Sequence, residues 1–300
     1  MPAVSVILVT HNSSNYIQEC LDSVLAQGLK DVEVIVVDNA SEDQTKSLIK
    51  NRYPEVTILE NLENLGPCKA RNKGIARANG NFILCLDDDT KLSRNFLANV
   101  LQTLENDDRI GAVQPKVLRP DGEIIYSTGI HLSFLRRFHD IGSGKRAGHR
   151  FNRQRDTFGA SCAAALYRKE ALEAVRQGRE YFDEDFFYFF EDVDLSWRLQ
   201  KRGWRIVYTP KAVCLHAGGR SRNKDEISQY LCLRNRYFVI TKNETLTGLL
   251  RLVIVFLAYD LWRNIFMLVT NPKYFLKASY GVVKFLPRMV KKRHNGENRH

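Results

Sequence analysis

The stretch LCLDDDT (84–90) sets three carboxylates, Asp87, Asp88 and Asp89, directly after a short apolar run. Like charges side by side repel, so the cluster calls for a cationic partner. Asp87 and Asp89 stand at i and i+2, positions that face one side of an extended segment. Both can then reach one hard cation; Mg²⁺ or Mn²⁺ keeps few protein ligands and completes its shell with water and substrate phosphate oxygens. A plain acidic turn is the competing reading. A second acidic centre, YFDEDFFYFFEDVDLSWRL (181–199), embeds Asp183, Glu184, Asp185, Glu191, Asp192 and Asp194 among aromatic rings. Desolvated carboxylates hold protons more tightly and make better general bases. Acids in the first turn of a helix opening near Glu191 are also favoured by its dipole. His216 closes RIVYTPKAVCLHAGG, ahead of two glycines. It is either a structural histidine at a strand end or, as a neutral imidazole, a third ligand beside the aspartates.

Such residues need elements to position them, and the first ninety alternate regularly. VSVILVT (4–10) has the β-branched, near-continuous apolar character of a strand covered on both faces, VEVIVVD (32–38) reads as a second buried strand, and VTILE (56–60) and FILCLD (82–87) read as a third and a fourth strand. A helix is predicted from about Ser14, with Ile17, Leu21, Val24 and Leu25 at helical spacing. A capping box over Ser41–Gln44 opens a second, and Lys69–Ala78 forms a third that stops at an Asn-Gly pair. Strand–helix–strand units of this length predict an α/β fold: a Rossmann-like, mostly parallel sheet flanked by helices, with ligands beyond the carboxyl ends of the strands. That rule gathers Thr10 to Asn12, Asp38 to Ser41 and Asp87 to Asp89 at one sheet edge. The sequence has no GxGxxG after the first strand and no GxxxxGK[ST], which argues against a dinucleotide fingerprint or a P-loop.

With 300 residues, the chain has room for one large domain or a domain with an appendage. Cys20, Cys68, Cys85, Cys162, Cys214 and Cys232 lie far apart without CxxC or zinc-ligand spacing and read as buried, reduced thiols of a cytosolic protein. MPAVSVILVTHN lacks a basic leader region and reads as a first strand. The net charge of +11 concentrates at the end, where Lys273, Lys277, Lys284, Arg288, Lys291, Lys292, Arg293 and Arg299 face the single acid Glu297. Such a tail meets solvent, an anionic membrane or nucleic acid. Residues 142–160, GSGKRAGHRFNRQRDTFGA, predict a mobile cationic loop over the cleft, with a solvated surface loop as the equal alternative. In TLTGLLRLVIVFLAYDLWRNIFMLVT (245–270) the longest uncharged apolar run, 252–259, falls short of the roughly 20 residues a span needs. An interfacial helix leading into a cationic tail fits, and so does packing on the domain or a dimer contact.

Taken together, VSVILVTHNSSNYIQECLDSV, VIVVDNASEDQT, NLGPCKARNKGI, FILCLDDDT, GASCAAALYRKEAL and FFYFFEDVDLSWRLQKRGWRIVYTPKAVCLHAGG resemble glycosyltransferase family 2, with the GT-A fold, over about residues 4–235. Within the family the chain most resembles bacterial rhamnosyltransferases of cell-envelope polysaccharide synthesis. The resemblance implies a GT-A catalytic domain over 1–235 and a hydrophobic, basic helical extension over 236–300. It implies inverting transfer of a sugar from a nucleotide-diphosphate donor to a hydroxyl of a glycan or lipid-linked glycan. On that basis Thr10, Asn12 and Asp38 border the nucleoside, and Asn39, Arg71, Asp87 and Asp88 complete the nucleotide-sugar site. Asp89, Asp87 and His216 hold Mg²⁺ or Mn²⁺, and Asp192, paired with Glu191, is the base. The small residues of FGASCAAA (158–165) let an acceptor approach the backbone or serve core packing. His11 stands where relatives commonly have an aromatic, which bears on nucleobase stacking. The expected setting is cytoplasmic, peripheral on the inner face of the membrane, with a homo-oligomer as an option and no nucleic acid. Two other classes compete: a catalytically inactive nucleotide-sugar-binding module, and a basic nucleic-acid-binding protein suggested by pI ≈ 9.4. Carboxylates at strand ends repel phosphate and so weigh against the latter.

Overall fold

The computed structural model describes residues 3–29, 31–218, 226–245 and 248–297. Four strands, β1 (Val4–Thr10), β2 (Val32–Asp38), β3 (Thr57–Glu60) and β4 (Phe82–Asp87), alternate with helices α1 (Ile17–Leu25), α2 (Thr45–Arg52) and α3 (Gly66–Arg77). They pair in parallel, and the register sets Thr10 beside Asp38 and Val9 beside Asp87. The expected gathering of strand-end polar residues at one edge is therefore built into the register. Then come β5 (Thr90–Leu92), α4 (Phe96–Glu105), β6 (Ile110–Leu118), β7 (Ile125–Ser127), the hairpin β8 (Ile130–Leu132) and β9 (Phe138–Asp140), β10 (Arg155–Asp156), β11 (Ala164–Arg168), α5 (Lys169–Ala174), α6 (Glu191–Lys201) and β12 (Arg205–His216). The main sheet runs in the order β10-β12-β6-β11-β4-β1-β2-β3. It is mostly parallel, with β11 inserted antiparallel between β4 and β6.

Continuous apolarity in the strands has a direct cause. Along β1, Ile7 buries on one face with α3 and α6, while Val6 and Leu8 bury on the other with α1 and α4. Both faces are covered, so no polar alternation survives.

Local details depart from expectation. α1 begins at Ile17 instead of Ser14. The Ser41–Gln44 capping box does not form: Asp43 accepts from Thr45 N–H, and Ser41 Oγ accepts instead from Asn12 N–H. α3 starts a turn early because Pro67 suits a first helical position. Residues 142–160 match the surface-loop alternative over 143–150, which are exposed and where Arg146 pairs with Glu123; they then enter β10, where Arg155 bonds Thr128 and stacks on Tyr208.

The C-terminal part is helical: α7 (Glu226–Asn243), α8 (Leu249–Val255), a π-turn (Phe256–Asp260), α9 (Leu261–Thr270) and α10 (Pro272–Glu297). The division expected at 235/236 falls inside α7. Part of the tail is tied to the domain, while Lys273, Lys277, Lys284 and Lys291 stay exposed. Lys292 pairs with Glu180, Asp183 and Asp185, and Arg288 with Asp185. Arg299 lies outside the described residues. Arg251–Thr270 forms one helical run of 20 residues with mean hydropathy 1.8, long and apolar enough by length and composition to cross a membrane. The shorter estimate from 252–259 arose because Asp260 interrupts the run; the fold pairs that acid with Arg236 in the interior.

Candidate active site

Asp87 and Asp89 flank the carboxyl end of β4. The chain then turns into β5, which pairs antiparallel with the end of β12 and sets His216 opposite Thr90. This pairing carries His216 across more than a hundred residues of sequence to the aspartates. His216 Nε2 lies 3.0 Å from Asp89 Oδ1 and 3.9 Å from Asp87 Oδ2. Gly218 N–H donates to Asp89 Oδ2 at 2.9 Å; Gly219 lies outside the described residues. Ligand atoms of Asp87, Asp89 and His216 all fall within 4.8 Å of one another. Burial alone would raise Asp89 and lower His216, yet their mutual hydrogen bond and opposite charges prevail: Asp89 is held below the usual carboxylate range and His216 above the usual imidazole value. His216 Nδ1 is buried without a hydrogen-bond partner among the described residues. Two carboxylates and an imidazole fit a hard or borderline divalent cation.

Arg71, from α3, is buried and bridges the site. It donates to Asp87 Oδ1 at 2.9 Å and to Glu191 Oε1 at 2.7 Å. Two cavities meet along it. One, of about 200 Å³, is lined by Thr10, His11, Asn39, Asn64, Asp87 to Asp89, Tyr188 and His216. The other, of about 230 Å³, is lined by Tyr126, Phe138 to Asp140, Ser161 to Ala163 and Tyr188 to Val193. Arg71, Asp87, Tyr188 and His216 belong to both.

The remaining residues from the sequence sort by their partners. Asn39 accepts from Asn61 and from Leu65 N–H, and donates to Asn64. Asn12, at φ 52°, accepts from Glu42 N–H and braces the loop outside the cavity lining. Asp38 is wholly buried beneath the edge: one oxygen accepts from Ser41 N–H, and Oδ1 has no partner among the described residues. Asp88 points back into the loop, accepting from Ser13 Oγ and His11 N–H.

The six acids of 181–199 divide cleanly. Asp183 and Asp194 are structural, both bonded to Lys242, with Arg198 also on Asp194. Asp185 pairs with Arg288 and Lys292, and Glu184 accepts from Asn72. Glu191 faces Arg71. Asp192 opens into the larger cavity, where it accepts from Val193 N–H at 2.8 Å. Burial, then the charges of Glu191 and Asp140, push its carboxyl well above the ordinary range, and Arg71 only partly offsets them. Burial also raises Glu191, against the pull of Arg71. The turn before α6 holds Phe187, Phe189 and Phe190 at φ of 66°, 66° and 68°. Such positions cost on the order of 1–3 kcal/mol each and persist where the surroundings over-determine them.

The model of the family described as "Glycosyl transferase family 2" matches residues 5–176, more than half the chain. The chain belongs to that family. It is 28% identical over 218 residues to "Poly-beta-1,6-N-acetyl-D-glucosamine synthase" of Staphylococcus aureus (strain MSSA476), covering 71% of this chain and 50% of the relative. It is also 28% identical over 245 residues to "N-acetylglucosaminyl-diphospho-decaprenol L-rhamnosyltransferase" of Mycobacterium tuberculosis (strain CDC 1551 / Oshkosh), covering 74% of this chain and 78% of the relative. The chain thus spans about half the length of the staphylococcal synthase. Solved structures similar in fold include the Pyrobaculum calidifontis mannosyltransferase PcManGT in complex with GDP-Man and Mn²⁺, at TM-score 0.59 and 19% identity, covering 99% of this chain and 85% of that one. S. aureus TarS 1–349 aligns at TM-score 0.52 and 15% identity, over 100% and 93%. The fold is GT-A.

In this family 2 chain, sequence reading missed Tyr188, Tyr126 and Asp140 as cleft residues, along with Asn72, Arg234 and Asn235, which brace it. Asp140 sits in a short hairpin with no acidic neighbours to draw notice. LRNRYF (233–238) did offer a signal, since two arginines and an asparagine inside an apolar helix need buried partners.

Proposed function

We propose that the chain transfers a sugar, with inversion, from a nucleotide-diphosphate donor to an acceptor hydroxyl. The single observation that supports this reading is the pair of facing groups in one cleft: Asp87, Asp89 and His216 on one side, Asp192 on the other, with Arg71 between them. Asp87, Asp89 and His216 would hold Mg²⁺ or Mn²⁺, which supplies charge neutralisation for a departing diphosphate. The smaller cavity takes the nucleotide side of the donor, with Thr10, Asn39 and Asp88 in its wall; Asp38 and Asn12 shape the loops behind it. The larger cavity takes the acceptor.

Asp192 receives the proton of the acceptor hydroxyl as its oxygen forms a bond to the anomeric carbon. The bond from that carbon to phosphate oxygen breaks, and its electron pair leaves with the diphosphate. One displacement inverts the centre without an enzymic nucleophile. A positioned base contributes about 10²–10⁴-fold. The raised proton affinity of Asp192 suits it to accept that proton, and Arg71 keeps Glu191 engaged so that Asp192 alone faces the acceptor.

For the sugar and acceptor we favour rhamnose and a lipid-linked glycan, because the mycobacterial relative is matched over 78% of its length whereas the synthase is matched over half. The C-terminal helices fit a membrane-bound acceptor. Asp260, Asn264 and Tyr259 tie one face of the run to Arg236, Tyr237 and Arg137. The other face exposes Ile254, Leu257, Trp262, Phe266 and Val269, and Lys273, Lys277 and Lys284 follow on α10. An apolar face beside lysines lies in the plane of an anionic membrane, at the cytoplasmic side where nucleotide sugars are found.

Asp192→Asn tests the assignment. Transfer from the accepted donor should drop by at least about a hundredfold, with donor affinity nearly intact. Transfer retained with donor affinity lost would overturn it.

A further inference from the structure

The strained turn before α6 is fastened from a distant part of the chain. Asn235, wholly buried in α7, aims its amide nitrogen at three carbonyl oxygens: Phe186 at 3.0 Å, Tyr188 at 2.8 Å and Phe189 at 2.8 Å. Its neighbour Arg234 donates from Nη2 to the carbonyls of Asp185 and Phe186, both at 2.9 Å. Arg234 Nε also donates to Asn235 Oδ1 at 2.9 Å, which fixes the amide so that its nitrogen faces the turn. The guanidinium is flanked by the rings of Phe238 and Phe285. On the far side Gly66, at φ 78°, lets the Phe187 ring and carbonyl approach to where any Cβ would collide. Phe190 ends the turn as the residue before α6, in the left-handed conformation and without a side-chain cap bond. The direction in which Glu191 and Asp192 leave the turn therefore depends on carbonyls held by Arg234 and Asn235.

We propose that Arg234 and Asn235 are positioning residues for the reaction: through the 186–189 carbonyls they hold Asp192 toward the larger cavity. This places part of the catalytic machinery in α7, well beyond the family-matched segment 5–176. The proposal rests on the reading of Asp192 as base. Charged and titratable groups facing Asp192 are Glu191 beside it, Asp140 from β9, Arg71 from α3, and Cys162 and Tyr167 around β11.

The test uses the full chain carrying Asn235→Ser or, should that variant fail to fold, Arg234→Lys, which keeps the charge but loses the forked donors. Hydrogen exchange over 186–192 should accelerate while β1 and β4 stay protected; this arm reads the turn without reference to activity. In transfer assays kcat should fall at least about tenfold, since small displacements of a reacting group are costly. Donor affinity measured by calorimetry should stay within about twofold, which separates loss of positioning from loss of binding. The acid limb of the kcat–pH profile should move to lower pH as Asp192 leaves its buried surroundings. The proposal is overturned by unchanged exchange over 186–192, by a kcat loss matching only the loss of folded protein with the limb unmoved, or by donor affinity falling in parallel with kcat. Should Asp192→Asn retain transfer, the base assignment fails on its own, and altered exchange in the Asn235 variant would still report the brace.

Discussion

Replacing Arg71 with Met removes a cation that is 3% exposed and bonds two carboxylates. Stripping one partner from a buried ion pair costs roughly 3–5 kcal/mol, because a charge is left without compensation. Most of that cost falls on Glu191, whose side chain is 5% exposed, since Asp87 at 30% keeps contact with water. The cost depends on pH in a defined direction. Burial already raises Glu191 despite Arg71, and without the arginine it rises further. A carboxyl with a folded pKa above its unfolded value near 4.3 binds more protons when folded, so it destabilises increasingly as pH climbs above that value. Urea denaturation of wild type and Arg71→Met should therefore differ by roughly 3–5 kcal/mol at pH 8 and by clearly less at pH 5, where Glu191 can take up a proton. An equal difference at both pH values, or one under about 1 kcal/mol at pH 8 as for a surface pair, would refute the reasoning.

Asp140→Asn should shift the acid limb of kcat to lower pH, because it removes one of the charges that raise the proton affinity of Asp192; a rate–pH profile with an unmoved limb would count against their coupling. Lys242→Met, which strips the shared cation from Asp183 and Asp194, should cost roughly 3–5 kcal/mol at pH 7. Both aspartates are depressed by Lys242 against the opposing effect of burial. Their contribution is present above the unfolded carboxylate value and lost below it, so the gap in denaturation midpoints should narrow below about pH 4. Phe266→Ser combined with Val269→Ser, at 64% and 76% exposed positions, should leave stability within about 0.5 kcal/mol. The same double variant should weaken flotation with phosphatidylcholine–phosphatidylglycerol vesicles by at least about tenfold, and undiminished flotation would contradict membrane attachment through this face.

The parallel half of the fold was legible because buried strands and their helices leave local signatures. The strand-end cluster followed from one topological rule, and the register of Thr10, Asp38 and Asp87 bears it out. What stayed hidden depended on long-range pairing. Nothing near His216 shows that β5 will pair with β12 and close the distance to Asp89. Aromatic density around 181–199 marked a desolvated acidic centre but could not sort its members, since Asp183 and Asp194 owe their roles to Lys242, far along the chain. Solvent, membrane and nucleic acid all stayed open for the cationic tail because its partners, Asp183 and Asp185, also lie about a hundred residues away. For residues 142–160, glycines and arginines left a mobile loop over the cleft and a solvated surface loop equally open; 143–150 are exposed, and Arg155 turns inward to Thr128 and Tyr208.

The central claim is that a divalent cation on Asp87, Asp89 and His216 carries the donor's diphosphate. Its most direct test is calorimetric titration of a panel of nucleotide sugars into wild type and Asp89→Ala, with Mn²⁺ and with EDTA. A nucleotide sugar that binds wild type with Mn²⁺ should lose most of its affinity in EDTA and in Asp89→Ala alike. Equal affinity in all of these conditions would contradict the account.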